Sequence, residues 1–283
     1  MPLALYNEWC YICISGVNLC AKQFRGKETA LISRAQEAGV NGIITISNSQ
    51  RDWKFNLRHC KRLTKEGKFQ VKATLGIHPH DAKAVFREGG PTLDTAMKEL
   101  ENLIREDTTS NHIVAVGECG LDYDRMFSPA EQQREVFRKQ IEIAAMFHKP
   151  LYLHERKAHE DFWNILVESK EKYPDLKGIV HCYTSDEETM NKYLSLGLYI
   201  GITGWICDSR RNRQLLKAVT SLPLEKLIIE TDSPFLAPPE TKQRKNEPCS
   251  LPYVCRKLAE AMGHQETEIY SHARMNVRQL FGF

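Results

Sequence analysis

Four short apolar segments of this 283-residue chain each end on a side chain able to bind a divalent metal. They read Val114-Ala115-Val116-Gly117-Glu118, Leu151-Tyr152-Leu153-His154, Gly178-Ile179-Val180-His181 and Leu227-Ile228-Ile229-Glu230-Thr231-Asp232. Two carboxylates and two imidazoles suit a metal ion that activates water. Each residue has an ordinary alternative when taken singly. Glu118 reads equally as a solvated loop carboxylate, His154 and His181 as satisfied core histidines, and Asp232, before Ser233-Pro234, as a capping turn. The four stop being independent if the segments are parallel strands of one barrel. The C-terminal ends of such strands converge on one rim, and that rim is where barrels of this kind do chemistry.

Further polar groups gather at neighbouring strand ends. Gly76-Ile77-His78-Pro79-His80-Asp81 follows another apolar run and reads as a rim loop with two imidazoles for a metal, a phosphate or a leaving group. Arg156 follows His154 closely, with His159 further along, and Arg244-Lys245-Asn246-Glu247-Pro248 brings two cations to the loop after the last strand. Arginine suits phosphate because its planar fork makes paired hydrogen bonds, and barrel phosphate sites often lie near strands seven and eight. A merely solvated basic loop is the alternative for Lys242, Arg244 and Lys245.

The elements that must carry these residues are legible as alternation. Strand-length runs at Tyr11–Ser15, Gly42–Ile46, Gln70–Gly76, Ile113–Glu118, Pro150–His154, Gly178–Cys182, Tyr199–Thr203 and Lys226–Thr231 are short, continuous and rich in β-branched residues, as buried parallel strands are. Amphipathic stretches lie between them. Glu28–Ala38 is expected to bury Ala30, Leu31, Ala35 and Ala38, and Pro129–Phe147 to bury Phe137, Ile141, Ala144 and Ala145, with Ser128 starting the latter helix. Eight strands alternating with helices predict an α/β fold, a (β/α)8 TIM barrel, over a doubly wound sheet. Leu251–Met262 and Glu266–Phe281 are expected as terminal helices after a polar loop at Pro238–Pro248, and the whole of 1–283 as a single domain.

Composition narrows the class. A net charge of +3 is mild and by itself no nucleic-acid footprint. No run approaches the ~18 apolar residues of a membrane span. The first ten residues lack the basic and apolar regions of a signal peptide, so none is expected. The nine cysteines are irregularly spaced; Cys10 and Cys13 form a CxxC with no second pair, which points to reduced thiols and a cytoplasmic or nuclear setting.

The motifs, taken together, resemble the TatD family of metal-dependent deoxyribonucleases among the amidohydrolase-like barrels. They are Gly-Ile-His-Pro-His-Asp (76–81), Val-Gly-Glu-Cys-Gly-Leu-Asp-Tyr (116–123), Leu-His-Glu-Arg (153–156), Val-His-Cys-Tyr-Thr (180–184), Tyr-Ile-Gly-Ile-Thr-Gly-Trp (199–205), Ile-Glu-Thr-Asp-Ser-Pro (229–234) and Arg-Lys-Asn-Glu-Pro (244–248). The resemblance runs from about Gly16 to the C-terminus. It implies hydrolysis of DNA phosphodiesters with Mg2+, or Mn2+ or Zn2+, as one or two divalent ions, by a 3′-to-5′ exonuclease or an endonuclease acting in DNA repair or apoptotic DNA degradation. It makes Glu118, His154, His181 and Asp232 metal ligands, Glu230 the neighbouring acid and His78 a substrate or acid/base residue. The chain departs from the family at its first strand. The related subgroup has Asp-Ile-Gly-Val-Asn-Leu there, where this chain reads Ile14-Ser15-Gly16-Val17-Asn18-Leu19, leaving Ser15 or Asn18 as weak oxygen ligands.

The expected mechanism is metal-assisted hydrolysis, with Asp232 or Glu230 accepting the proton of the attacking water. Arg156, Arg244 and Asn246 hold the substrate, His78 or His80 assists the leaving oxygen, and Tyr123 or Trp205 stacks an end base. DNA is the expected partner, with no membrane, and a monomer the expected state. Two rivals keep the fold: another metal hydrolase of the same barrel class, such as an aminoacyl-tRNA deacylase, and a binding protein without catalysis.

Overall fold

A computed structural model describes residues 12–65 and 69–282, with the side chains of 12–15 and 65 left aside. Eight strands follow one another around a closed barrel in chain order, and every neighbouring pair is parallel. They are β1 (Ile12–Val17), β2 (Val40–Thr45), β3 (Gln70–Leu75), β4 (Ile113–Asp122), β5 (Leu151–Arg156), β6 (Gly178–Val180), β7 (Tyr199–Ile202) and β8 (Leu227–Ser233). The ring closes where β1 meets β8, pairing Ser15 with Glu230 and Val17 with Ser233. Helices α1 (Glu28–Glu37), α2 (Gln50–Lys65), α3 (Leu93–Glu106), α4 (Ala130–Met146), α5 (His159–Lys172), α6 (Glu187–Ser195) and α7 (Arg213–Ala218) alternate with the strands, and α8 (Leu251–Met262) and α9 (Glu266–Phe281) follow.

The two faces of each strand explain why the strand ends converge. Side chains alternate along a strand, so residues two apart share a face. Tyr152, Ile179 and Ile228 belong to one buried cluster, which Val277, Leu280 and Phe281 of α9 join. Leu151, Leu153, Val180, Leu227 and Ile229 belong to the other, larger cluster with the helices. Two residues on from Tyr152 is His154, two on from Ile179 is His181, and two and four on from Ile228 are Glu230 and Asp232. The histidines and acids therefore continue the phase of the first cluster at its C-terminal end. On β4 the register to β5 shifts between Gly117 and Cys119, and Cys119 packs with the helix-side cluster, leaving Glu118 on the opposite side.

Several boundaries differ from the sequence reading. β4 runs on to Asp122 because Gly120, Leu121 and Asp122 pair with His154, Glu155 and Arg156. β6 stops at Val180, and Cys182 has a left-handed φ of 48°, so His181 and Cys182 leave the ladder. α1 buries Leu31, Ile32 and Ala35 while Ala30 is exposed, so its apolar face is turned from the one expected. Ser128 does not cap α4. Its hydroxyl donates to His80 O at 2.9 Å and accepts from Lys83 N at 3.0 Å, tying the loop after β4 to the segment after β3. That segment is a 3-10 helix over Pro79–Phe86 rather than an open loop. Tyr11 and Cys10 lie outside the described residues.

Candidate metal centre

His181 shows how the fold prepares a candidate ligand. It is buried, and its Nδ1 lies 2.9 Å from Glu230 Oε2 and 3.0 Å from the Tyr152 hydroxyl. Glu230 is fully buried and also accepts from Cys182 N at 3.0 Å, while the Tyr152 hydroxyl donates to its other oxygen. With Nδ1–H donated to a carboxylate, Nε2 is the ring's ligand atom. It points toward Asp232 Oδ1 at 3.7 Å and Glu118 Oε1 at 4.0 Å. Gly201 on β7 leaves room for this arrangement: a Cβ there would stand 2.1 Å from Glu230 Oε2. Burial opposes charge on His181, but Glu230 prevails and raises its pKa to about 10.

Glu118 occupies the middle. Its Oε1 lies 2.8 Å from His154 Nδ1 and 3.3 Å from His78 Nε2. Burial alone would raise its pKa; the surrounding imidazoles hold it well below the usual carboxylate range. His154 repeats the pattern of His181, with Nδ1 on a carboxylate and Nε2 turned elsewhere. That Nε2 is buried without a hydrogen-bond partner, 3.4 Å from Asp122 Oδ2. Burial works against a charge on His154 too, and Asp122 and Glu118 overcome it to raise the pKa to about 9. His78 differs. Its Nδ1 accepts from His80 N at 3.0 Å, so the proton of the neutral ring sits on Nε2, facing Glu118. Burial lowers its pKa to about 4, which keeps it neutral.

On the far side of His154, Asp122 accepts a 2.6 Å bond from His80 Nε2 and two more from the backbone N–H groups of Asp124 and Arg125. The neighbouring imidazoles of His154 and His80 outweigh burial and keep its carboxyl ionised. On the near side, burial raises Asp232 to about 7, aided by Glu118 and Glu230 against the pull of His181.

The sequence pattern treated Glu118, His154, His181 and Asp232 as one ligand set. The structure divides them into two groups of mutually close ligand atoms, His78 with His80 and His154, and His181 with Cys182 and Asp232. Glu118 contacts members of both. The donor set fits divalent metals: ligands about 2.0–2.3 Å from one ion lie within ~4.6 Å of each other, and the unpartnered, buried His154 Nε2 is a donor that protein groups leave open. Asn18 Oδ1, after β1, is likewise without a partner. The side chains of Ile14 and Ser15 lie outside the described part.

Other sequence expectations fare unevenly. Glu230 does not serve as a base for water, since both its oxygens are engaged and none of it is exposed. Asn246 does not face substrate. It is 1% exposed, its Nδ2 donates to Thr231 O at 2.7 Å, and its Oδ1 accepts from Glu247 N and Ser250 Oγ, so it fastens its own loop. Tyr123 is partly buried against the core, its hydroxyl donating to Asp161 at 2.6 Å and accepting from Arg134. One face of Trp205 is covered by the Arg211 guanidinium, 4.0 Å from the ring centre. Arg156 reaches Asp124 at 2.7 Å with its side chain 42% exposed, and Lys242, Arg244 and Lys245 are exposed. His159 is drawn away to Tyr193, 2.8 Å from Nδ1. Asp122, Tyr152, Cys182 and Gly201 were missed as site residues. Asp122 had a sequence signal, as the acid four residues after Glu118 in Val-Gly-Glu-Cys-Gly-Leu-Asp-Tyr.

Comparison with known proteins agrees with this geometry. A family model described as TatD related DNase matches residues 15–282. The 3'-5' ssDNA/RNA exonuclease TatD of Erwinia tasmaniensis is 38% identical over 272 residues, covering 94% of this chain and 98% of that protein. Its Escherichia coli counterpart is 35% identical over 271 residues, covering 94% and 97%. Among solved structures, a hydrolase TatD family protein from Entamoeba histolytica superposes with a TM-score of 0.84 at 25% identity, over 96% of this chain and 98% of that one. No described helix is long and apolar enough to cross a membrane.

Proposed function

Since the chain belongs to the TatD-related DNase family, we propose that it is a metal-dependent 3′-to-5′ exonuclease that hydrolyses phosphodiester bonds of single-stranded DNA, and of RNA as its relatives' names state. The observation that carries this reading is the pair of buried histidines, His154 and His181. Each has Nδ1 committed to a carboxylate and Nε2 open, on either side of Glu118.

Glu118, His181 and Asp232 would hold one divalent ion, and His154, with His80 and Asp122 beside it, a second. A bound ion polarises a phosphate oxygen and lowers the pKa of water. The protein's own groups do the rest. Asp232, whose carboxyl titrates near neutrality, takes the proton of the attacking water. Tyr152 and Glu230 keep the His181 ring in its tautomer and orientation. His78, neutral and with its proton on Nε2, donates toward Glu118 and steadies it. His80, braced by Asp122, assists the leaving oxygen. Arg156 and the cations at 242–245 draw the polyanion to the rim, and Asn246 with the Arg34–Glu247 pair holds the basic loop in place.

In this reading the barrel and its two terminal helices work as one domain and as a monomer, in cytoplasm or nucleus, where trimming of single strands serves repair or the destruction of DNA in dying cells. Incubation of labelled single strands with Mg2+ or Mn2+ tests it. Release of 3′ nucleotides that EDTA abolishes is the expected result, and intact strands under every metal would refute it.

A further inference from the structure

Three phenylalanine, tyrosine or tryptophan side chains are exposed among the described residues: Phe86 at 38%, Phe127 at 51% and Phe235 at 53%. Scattered exposed apolar residues are common and mean nothing singly. Their placement here is not scattered. Each lies in a segment that follows the C-terminal end of a strand: Phe86 after β3, Phe127 after β4 and Phe235 after β8. All three thus belong to the catalytic face of the barrel.

Two of them are joined to residues of the candidate metal centre, Phe127 through its ring and Phe235 through its backbone. The Phe127 ring meets the His80 ring edge-on, with centroids 4.8 Å apart and an interplanar angle of 83°. His80 is itself held by Asp122, and Ser128 fastens the loop to the His80 carbonyl and the Lys83 amide, so Phe127 rests on a braced support. Phe235 comes three residues after Asp232, and its N–H donates to Asp232 O at 2.8 Å. The carbonyl of Pro234 beside it accepts from Asn246 N at 3.0 Å. β4 and β8 stand opposite each other in the eight-stranded ring, so the two exposed phenylalanines follow opposite lips of the cluster.

Charge alone holds a polyanion without ordering its bases. A flexible single strand needs stacking surfaces beside its scissile phosphate, and any aromatic face suffices because every base has a π-face. Tyr123 and Trp205 are more engaged: both are partly buried, the Tyr123 hydroxyl is held by Asp161 and Arg134, and Arg211 lies over one face of Trp205. We propose that Phe127 and Phe235 are the base-stacking residues of the site, gripping nucleotides on either side of the phosphate to be cut. The proposal rests on the nuclease reading above and deepens it. It makes the enzyme selective for unpaired ends, because a base inside a duplex has no free face to give.

The test uses oligodeoxynucleotides with 2-aminopurine at the 3′ end or three positions inward, whose fluorescence falls on stacking. Binding is followed in EDTA and turnover in Mg2+. Wild-type protein should quench the probe. Phe127→Ala and Phe235→Ala should each weaken binding and raise KM by about 5- to 150-fold, with kcat within about twofold, and Phe127→Trp and Phe235→Trp should restore both. Phe127→Leu and Phe235→Leu keep the apolar bulk and lose only the aromatic face, so they decide the matter even if an alanine variant misfolds. Leucine variants with wild-type KM and quenching would overturn the proposal. Quenching that needs both rings in a protein that releases no nucleotide would instead keep the stacking site and overturn the nuclease reading.

Discussion

Gly201→Ala adds one methyl group on β7, 29 positions in sequence from Glu230, and should disable the metal site. The new Cβ would lie 2.1 Å from Glu230 Oε2 and 2.6 Å from its Cδ, whereas ordinary van der Waals contact begins at 3.4 Å. The backbone of β7 is pinned by pairing of Gly201 with Ile228, so the carboxylate must move, by about 1 Å or more. Moving it strains or breaks its bonds to His181 Nδ1, Cys182 N and the Tyr152 hydroxyl. Bonds to a charged group are worth about 1.5–3 kcal/mol each, and overpacking costs about 1–3 kcal/mol. With partial relaxation a net loss near 3 kcal/mol is expected. For a chain of this size that is a fall in Tm of roughly 6–12 °C. Loss of the partner that orients a ligating histidine should also cost about 10- to 100-fold in metal affinity. Thermal unfolding and Mn2+ titration calorimetry measure the two effects. The decisive control is the same substitution in a Glu230→Ala background, where the methyl group has space and its own cost should nearly vanish. An equal cost in both backgrounds, or unchanged metal affinity in Gly201→Ala, would refute the reasoning.

Three other outcomes follow from the same geometry. Without metal, His154 and His181 are held protonated up to about 9 and about 10 by their carboxylate neighbours, so metal binding must expel protons. Affinity should therefore rise with pH between about 6 and 9, and calorimetry in buffers of different ionisation enthalpy should report net proton release at pH 7; affinity flat across that range contradicts the tautomer assignment. Asp122→Asn removes the carboxylate under His80 while an amide oxygen can still accept from Asp124 and Arg125. It should keep the fold and lower kcat/KM by at least about tenfold, and wild-type kinetics would remove His80 and Asp122 from the mechanism. Arg34→Ala breaks the two-bond contact to Glu247, an exposed pair worth at most about 1 kcal/mol of stability. It should raise KM for single strands severalfold by loosening the basic loop, while Tm measured by calorimetry barely moves.

How much of this was legible in the sequence depends on the range of the interactions involved. Strand residues at odd and even positions announce their faces, so the convergence of His154, His181 and Asp232 follows once β5, β6 and β8 are recognised as parallel strands of one barrel. The two terminal helices appear with the boundaries expected, because Gly263 and Gly282, both at positive φ, mark their ends. The shift of register at Gly117 was not legible, since it depends on how β4 pairs with β5. Tyr152 read as one more apolar strand residue, and its hydroxyl acquires a role only when β8 brings Glu230 across the barrel. Asn246 illustrates the reverse error: an amide amid basic residues looked like a substrate contact, yet the turn around Pro234 and Leu236 consumes its hydrogen bonds. The contact of Trp205 with Arg211, six residues on, which lies over one face of its ring, was likewise not legible.

The central claim is that His154 and His181, on either side of Glu118, hold the metal with which this chain cuts nucleic acid. The most direct measurement follows 5′-labelled single-stranded DNA with wild-type protein and with Glu118→Ala and His181→Ala, in Mg2+ or Mn2+ and in EDTA, with bound metal counted by mass spectrometry. The account predicts a ladder of strands shortened stepwise from the 3′ end by wild type alone, abolished by EDTA, and variants that stay folded while losing metal and activity together. Variants that still digest the strand, or wild-type digestion that persists in EDTA, would contradict it.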